Sequence, residues 1–298
     1  LILYSIYFVF TVAEFIFLVC GGMPFFDAVN TAFATAGTGG FGIKNDSMAG
    51  YSHYIQIVVT VFMIMFGINF SSYYLLITGK LKEAFNSELK VFALIVISAI
   101  TVITLNIRHL FPNVGDALRN ASFTVASVIS TTGFSTADFD LWPELSRTVI
   151  VLIMFIGACA GSTGGGIKVS RIIILFKSMA KELSVMIHPK QVRKITVDSH
   201  AIDHETVRSV NVYMVCYIMV FVISMGVMSF DNYDLITNFT AVAATLNNVG
   251  PGLELVGPTQ NFGFMSSPAK IILIFDMLAG RLELFPMLLL FAPATWKK

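Results

Sequence analysis

Three short stretches offer residue types at a spacing from which ion chemistry could be built. They are Thr38-Gly39-Gly40-Phe41, Thr131-Thr132-Gly133-Phe134 and Asn248-Val249-Gly250-Pro251. None of these side chains carries a charge. What they supply is a series of backbone carbonyls, plus a glycine able to reach positive φ so that the carbonyls can turn toward one axis. A ring of such carbonyls replaces the hydration shell of a monovalent cation. Without carboxylates the set suits K⁺ or Na⁺ better than Ca²⁺. The expectation is a monovalent-cation filter at these twelve residues, with Gly40, Gly133 and Gly250 as its central glycines.

A fourth stretch, "GACAGSTGGGIKVSR" from Gly157 to Arg171, places five glycines, Ser162, Thr163 and Lys168 between two apolar runs. Each glycine inside a helix costs roughly 1 kcal/mol, so a helix is not expected to continue here. Non-helical backbone at membrane depth must face protein or water. Residues 157–168 are therefore expected below the second filter loop as a compact segment able to change shape. The spacing Gly161 to Gly166 matches a phosphate-binding loop, but Ile167 stands where Lys is required and no strand leads into it. A glycine-rich kink without a gating role is the plain alternative.

These segments need elements to hold them. The chain is 298 residues, 56% hydrophobic and 12% charged, with mean hydropathy +0.79, far from the composition of soluble domains. Apolar runs of about 20 residues, enough to cross a bilayer, recur at Leu1–Cys20, Tyr54–Ile77, Val91–Leu105, Val149–Phe176, Val212–Phe230 and Ile271–Phe291. The first run lacks the basic start and cleavage pattern of a signal peptide. Lys80, Lys82 and Lys90 cluster in one connector, and Lys177, Lys181, Lys190, Arg193, Lys194 and Arg208 in another. Phe134–Glu144 and Gly252–Pro268 contain acids and no Lys or Arg. The positive-inside tendency puts the basic connectors in the cytoplasm and the acidic ones outside.

The stretches Asn30–Gly42, Phe123–Ser135 and Thr240–Gly252 share one pattern. A run of small and apolar residues ends in a polar pair or triplet, then Gly, then Phe or Pro. The runs span about ten residues, too short to cross a bilayer, and each lies on the external side. Re-entrant half-helices fit, giving a unit of span, half-helix, loop, span. Small residues serving only close helix packing would be the alternative. The fold class expected is an all-α polytopic membrane protein around a central pore. Its units are 1–78 (filter 37–42), 91–180 (filter 130–135, loop 157–168) and 209–298 (filter 247–252), joined by cytoplasmic connectors 79–90 and 181–208.

Together with "GACAGSTGGGIK", "MLAGRLELFPMLLLF" and "IHPKQVRKITVDSHAIDHETVRSV", the loops resemble the Trk/Ktr/HKT superfamily of K⁺ transporters, most closely its bacterial Trk branch. The resemblance covers nearly the whole chain. It implies four units, of which this sequence would hold the second to fourth, with the first preceding Leu1. It also implies a multi-pass protein of the bacterial cytoplasmic membrane and a K⁺ filter at the residues above. The gate would be formed by Gly157, Gly161, Ser162, Thr163, Gly164, Gly165, Gly166 and Lys168. Arg281 would add a positive barrier below the filter. The partners implied are the lipid bilayer, a cytosolic nucleotide-binding regulatory subunit docking on Lys177–Arg208, and a second copy in a homodimer; no nucleic acid and no catalytic cofactor are expected.

Charges within spans complete the picture. A cation near the bilayer centre costs roughly 3 kcal/mol or more, so Arg281 should face the pore. Asp276 and Glu283, seven apart, should share a helical face. Lys168 could act electrostatically in the gate or snorkel to the cytoplasm. Glu14 should find an interhelix hydrogen bond. His200 and His204 read as a solvated helix start, and Cys20, Cys159 and Cys216 as packing residues. A proton- or Na⁺-coupled carrier with inverted repeats is the competing transport class, but the repeats run in one direction. No catalytic constellation lies at matched depth, so an enzyme is not expected.

Overall fold

The computed structural model describes residues 2–189, 194–198 and 200–296. Their order is α1 (Ile2–Cys20), α2 (Phe25–Ala36), α3 (His53–Gly67), α4 (Phe70–Ile77), α5 (Leu81–Ala84), α6 (Ser87–Ile107), α7 (Val114–Ile129), α8 (Glu144–Ile156) and α9 (Val169–Ile187). A two-stranded antiparallel ribbon, β1 (Thr196–Val197) and β2 (His200–Ala201), comes next. It is followed by α10 (His204–Met228), α11 (Leu235–Leu246), α12 (Ser267–Arg281) and α13 (Leu284–Leu289). Side-chain caps mark the helix starts: Asn86 accepts from Leu89 N at 2.8 Å, Asp234 from Thr237 N at 2.9 Å and Ser266 from Ala269 N at 3.3 Å. Each cap satisfies an amide that has no partner inside its own helix.

Ile2–Cys20, Ser87–Leu110 and His204–Asp231 are long and apolar enough to cross a membrane. They show large apolar side chains such as Phe8, Leu94 and Ile218 on their outer faces, as lipid-facing helices do. Between them lie α2, α7 and α11, of 12, 16 and 12 residues. At 1.5 Å per residue these reach about 18–24 Å, short of the roughly 30 Å hydrocarbon core. From Phe123 to Ile129 and from Thr240 to Leu246 every side chain is buried. One apolar cluster packs α7 against α6 and α8 through Val125, Ile129, Phe92, Ile103 and Met154. A second joins α1 and α3 to α7 through Leu18, Met63 and Phe123. On the acidic side, Arg147 gathers Asp140, Glu144 and Glu254 at 3.2, 2.8 and 2.7 Å, joining two loops far apart in sequence.

Several expectations need correction. Tyr54–Ile77 is not one continuous helix, because the chain bends by 92° between α3 and α4. Asn69 caps α4 through Ser71 N, and the groups freed at the break bond residues near 160: Cys159 N to Gly67 O at 3.0 Å and Phe70 N to Gly161 O at 3.2 Å. Asp276 and Glu283 do not share a helical face. The helix ends at Arg281 and Glu283 sits at φ 71°, so Asp276 accepts from Ser224 while Glu283 pairs with Arg171. Glu14 is fully buried and meets the Thr35 hydroxyl of α2, the interhelix contact expected of it, while that hydroxyl also donates at 2.9 Å to the Thr31 carbonyl of its own helix. Helices run into the basic stretches: α9 carries Lys177 and Lys181, α6 carries Lys90 and α10 carries Arg208. His204 opens α10, whereas His200 lies on β2. Cys159 is buried as expected, but Cys20 is exposed on the end of α1. Lys190 and Arg193 lie outside the described residues.

Candidate functional site

The helices α2, α7 and α11 end in the same way. The N–H groups of Thr38, Thr131 and Asn248 reach the carbonyls three residues back, at 3.0, 3.1 and 3.0 Å. Those of Gly39, Thr132 and Val249 reach five residues back, each at 2.8 Å. This is the Schellman closure, which needs a left-handed residue just past the helix. Thr38 (φ 48°), Thr131 (φ 60°) and Asn248 (φ 58°) fill that place, where glycine or asparagine is usual and a β-branched threonine is strained. Two residues on, Gly40, Gly133 and Gly250 are left-handed again at φ 66°, 89° and 104°. The chain therefore turns over twice within three residues in every loop.

The loops then meet one another. A Cβ added at Gly40 would fall on the Thr132 carbonyl oxygen, and one at Gly133 on the Val249 carbonyl oxygen. Thr38, Gly39, Gly40, Phe41, Thr132, Gly133, Asn248, Val249, Gly250 and Pro251 line one cavity of about 900 Å³. The two phenylalanines differ: Phe41 is exposed, whereas the Phe134 ring is buried against Phe123 and contributes backbone only. Its carbonyl accepts from Ser127 Oγ at 2.6 Å, which straps the loop to α7. Thr131 turns its hydroxyl away from the cavity, toward the segment beneath.

That segment is 157–168. It leaves α8 at Gly157 (φ 69°), where a Cβ would press on the Gly165 carbonyl at 2.6 Å. Bonds from Ile167 N to Phe155 O (3.4 Å) and from Lys168 N to Ile156 O (3.1 Å) close its neck. The segment touches all three helix-ending residues. Gly165 N donates to Thr131 Oγ1 at 2.7 Å, and Thr38 Oγ1 lies 3.0 Å from Thr163 O. Gly165 also abuts Asn248 so closely that a Cβ would stand 3.1 Å from that of Asn248. Arg281 clasps the group, donating to Thr163 O and Gly37 O at 2.8 Å and to Thr38 Oγ1 at 3.0 Å. A cation on the last carbonyls of α2 is also placed favourably against the helix dipole. Lys168 turns inward onto the Gly164 carbonyl and does not snorkel.

Beneath the segment lies a cavity of about 420 Å³, lined by Ser162, Thr163, Lys168, Arg171, Arg281 and Glu283 among others. Arg171 pairs with Glu283 at 2.6 Å and stacks on the Tyr213 ring at 4.1 Å. That leaves Lys168 and Arg281 as the cations in this lining that form no ion pair among the described residues.

Residues 1–298 match the TrkH family, described as cation transport proteins, along their whole length. The chain belongs to that family. It is 35% identical over 302 residues to the Trk system potassium uptake protein TrkH of Salmonella typhimurium and to that of Escherichia coli K12, covering 99% of this chain and 62% of each relative. The Escherichia coli protein TrkG is 30% identical over 280 residues, covering 93% of this chain and 57% of its own length. The crystal structure of the potassium transporter TrkH from Vibrio parahaemolyticus matches with a TM-score of 0.91 at 35% identity, covering 99% of this chain and 64% of that one. The chain thus spans about three fifths of the length of the relatives it matches. As a TrkH-family chain with helices apolar enough to span, it is a protein of the bacterial inner membrane.

This TrkH-family chain also uses residues that sequence reasoning passed over. Gly280 lets α12 approach the end of α11, since a Cβ there would fall on Leu246 O and Asn248 Nδ2. Tyr217 donates to Asn247 Oδ1 at 3.0 Å at the same helix end. Asn69 and Glu88 hold the outer edge of the 157–168 segment. A glycine inside the last turns of an apolar helix was the one readable signal, at Gly280.

Proposed function

We propose that this chain forms most of a K⁺ uptake pore. Residues 37–42, 130–135 and 247–252 act as the carbonyl-lined filter and 157–168 as an intramembrane gate. The observation that carries this reading is the repetition, at three helix ends, of one backbone conformation whose carbonyls meet across neighbouring loops. Uncharged carbonyls at a site of this kind replace the hydration shell of a monovalent cation. The ends of α2, α7 and α11 add partial negative charge from their last turns. On this reading 1–78, 91–180 and 209–298 are successive span–half-helix–loop–span units.

The same reading makes Lys168 and Arg281 an electrostatic barrier beneath the filter, and Arg281 the clasp that keeps the gate shut. A cytosolic nucleotide-binding subunit would then open the gate by docking on the basic connector, and the whole protein would work as a homodimer. A pull-down tests the docking: replacing Lys190, Arg193 and Lys194 together with Ala should abolish capture of that subunit. Flux of K⁺ against Na⁺ in liposomes containing the complete protein tests the pore. K⁺ flux that is saturable and strongly preferred over Na⁺ is expected, and equal fluxes would refute the filter. The competing coupled-carrier reading has one observation behind it, since the carboxyls of Glu14 and Asp276 are fully buried among the helices. Neither residue lines the two cavities described above, so the pore reading is preferred.

A further inference from the structure

Glu88, at the start of α6, is buried, and a single one of its oxygens ties two distant points of the chain. Oε1 accepts from Ala160 N at 2.7 Å and from Ser170 N at 3.1 Å. The first amide lies within the 157–168 segment, just before Gly161, and the second just past its end. Ser170 lies in the first turn of α9, whose own N-cap residue, Lys168, makes no side-chain cap. Glu88 therefore supplies from another helix the acceptor that this helix start lacks, and its charge sits at the positive end of a 19-residue dipole.

The residue before it leads outward. Ser87 donates through both N and Oγ to Asp198 Oδ1, at 2.8 and 2.6 Å. Asp198 is exposed, follows β1 and sits at φ 48° in the turn of the cytoplasmic ribbon. The ribbon has a second anchor, Lys177 Nζ on Thr196 O at 2.6 Å, which ties it to α9. The ribbon thus grips α6 and α9, the same two helices whose ends Glu88 joins. Along this route exposure falls stepwise: Asp198 is exposed, Ser87 half-buried and Glu88 buried.

We infer that Glu88 is the pin tying the entry side of the 157–168 segment to the helix start just past it, and that the Ser87–Asp198 contact is the handle by which a partner on the cytoplasmic face moves that pin. The inference rests on reading 157–168 as the gate and assigns its regulation. Displacing the ribbon draws Ser87 from its place, shifts the adjoining Glu88 and frees the amides of Ala160 and Ser170. The segment then keeps its bonds to Arg281, Thr38, Thr131 and Phe66 but loses the tie between its entry side and the start of α9. Glu88 and Asp198 are positioning residues, since neither lines the filter.

Hydrogen exchange of the full protein in nanodiscs, resolved by peptide, provides the test. Losing a charge-assisted acceptor should speed exchange in the 157–170 peptide of Glu88→Ala by about tenfold or more. Glu88→Gln, which keeps a neutral acceptor, should show a smaller rise, roughly threefold. Asp198→Ala should raise exchange in the same peptide roughly threefold, although it alters none of that peptide's direct contacts. The Glu88→Ala/Asp198→Ala double variant should be no faster than Glu88→Ala alone, because both act along one route. Peptides of α7 and α11 should exchange at the parental rate. Parental exchange of 157–170 in Glu88→Gln and Asp198→Ala would overturn the inference, even if Glu88→Ala failed to fold. So would equal acceleration in α7 and α11, which would signify general loosening. Basal K⁺ flux separates the two readings. A loosened peptide with raised flux supports both, whereas a loosened peptide with parental flux keeps the pin and removes the gate.

Discussion

The filter loops and the 157–168 segment lie against each other, yet they are held in opposite ways. Each filter loop is closed by backbone bonds to carbonyls three and five residues back on its own helix. The segment beneath is held by bonds that cross 34 residues to Thr131, 97 to Phe66, 118 to Arg281 and 125 to Thr38. A structure closed by near neighbours keeps its shape whatever distant helices do. One closed by distant helices changes whenever any of them moves. If the loops act as the filter and the segment as the gate, as proposed above, constancy of selectivity and variability of opening come from two kinds of bonding set side by side.

The sharpest way to break this contrast is to remove residues 158–165 while joining the neck. Basal K⁺ flux without any partner should rise by about two orders of magnitude, since a pore freed of its obstruction conducts at the rate its filter allows. K⁺ preference should persist, and ion flux in liposomes checks both. Next, Gly133→Ser places a Cβ on the Val249 carbonyl oxygen and forces a left-handed serine. The K⁺ over Na⁺ permeability ratio should fall about tenfold, equivalent to roughly 1.4 kcal/mol of discrimination, with little change in partner control. Arg281→Ala removes three hydrogen bonds on the segment and on α2. Basal flux should rise several-fold to about tenfold, given ~1.5–3 kcal/mol for each bond to a charged group, partly offset as water replaces them. The smallest effect belongs to Thr131→Val, which keeps the β-branched shape but loses the acceptor for Gly165 N. One neutral bond is worth about 1 kcal/mol, so single-channel recordings should show about a fivefold rise in open probability at unchanged selectivity.

Sequence legibility follows the same division. Features encoded locally were readable: the glycines that end each half-helix run, the glycine cluster at 157–166 and the cation at Arg281 all stand out in a window of a dozen residues. The 92° bend after Gly67 was hidden inside an apolar run, because the groups that satisfy it lie near residue 160. The break after Arg281 had a weak sign in Pro286, which suits the first turn of a new helix better than the middle of an old one. Glu88 gave no sign at all. An acid in the first turn of a helix reads as a dipole partner for its own helix, and only the packing of α6 against α9 turns it toward another. The same holds for Ser87 and Asp198, 111 residues apart.

The reach of Arg281 also bears on how the chain assembles. Its guanidinium bonds Gly37 and Thr38, 244 and 243 residues earlier, so that clasp has close to the greatest sequence separation the chain allows. The helix-end closures need only their own turn and can form as each hairpin inserts. Contacts of long separation cost more loop-closure entropy and form late. On the proposed pore reading, the nascent protein acquires its ion-recognising geometry before it acquires the means to shut it, and sealing the bilayer against leakage is among the last steps of its biogenesis.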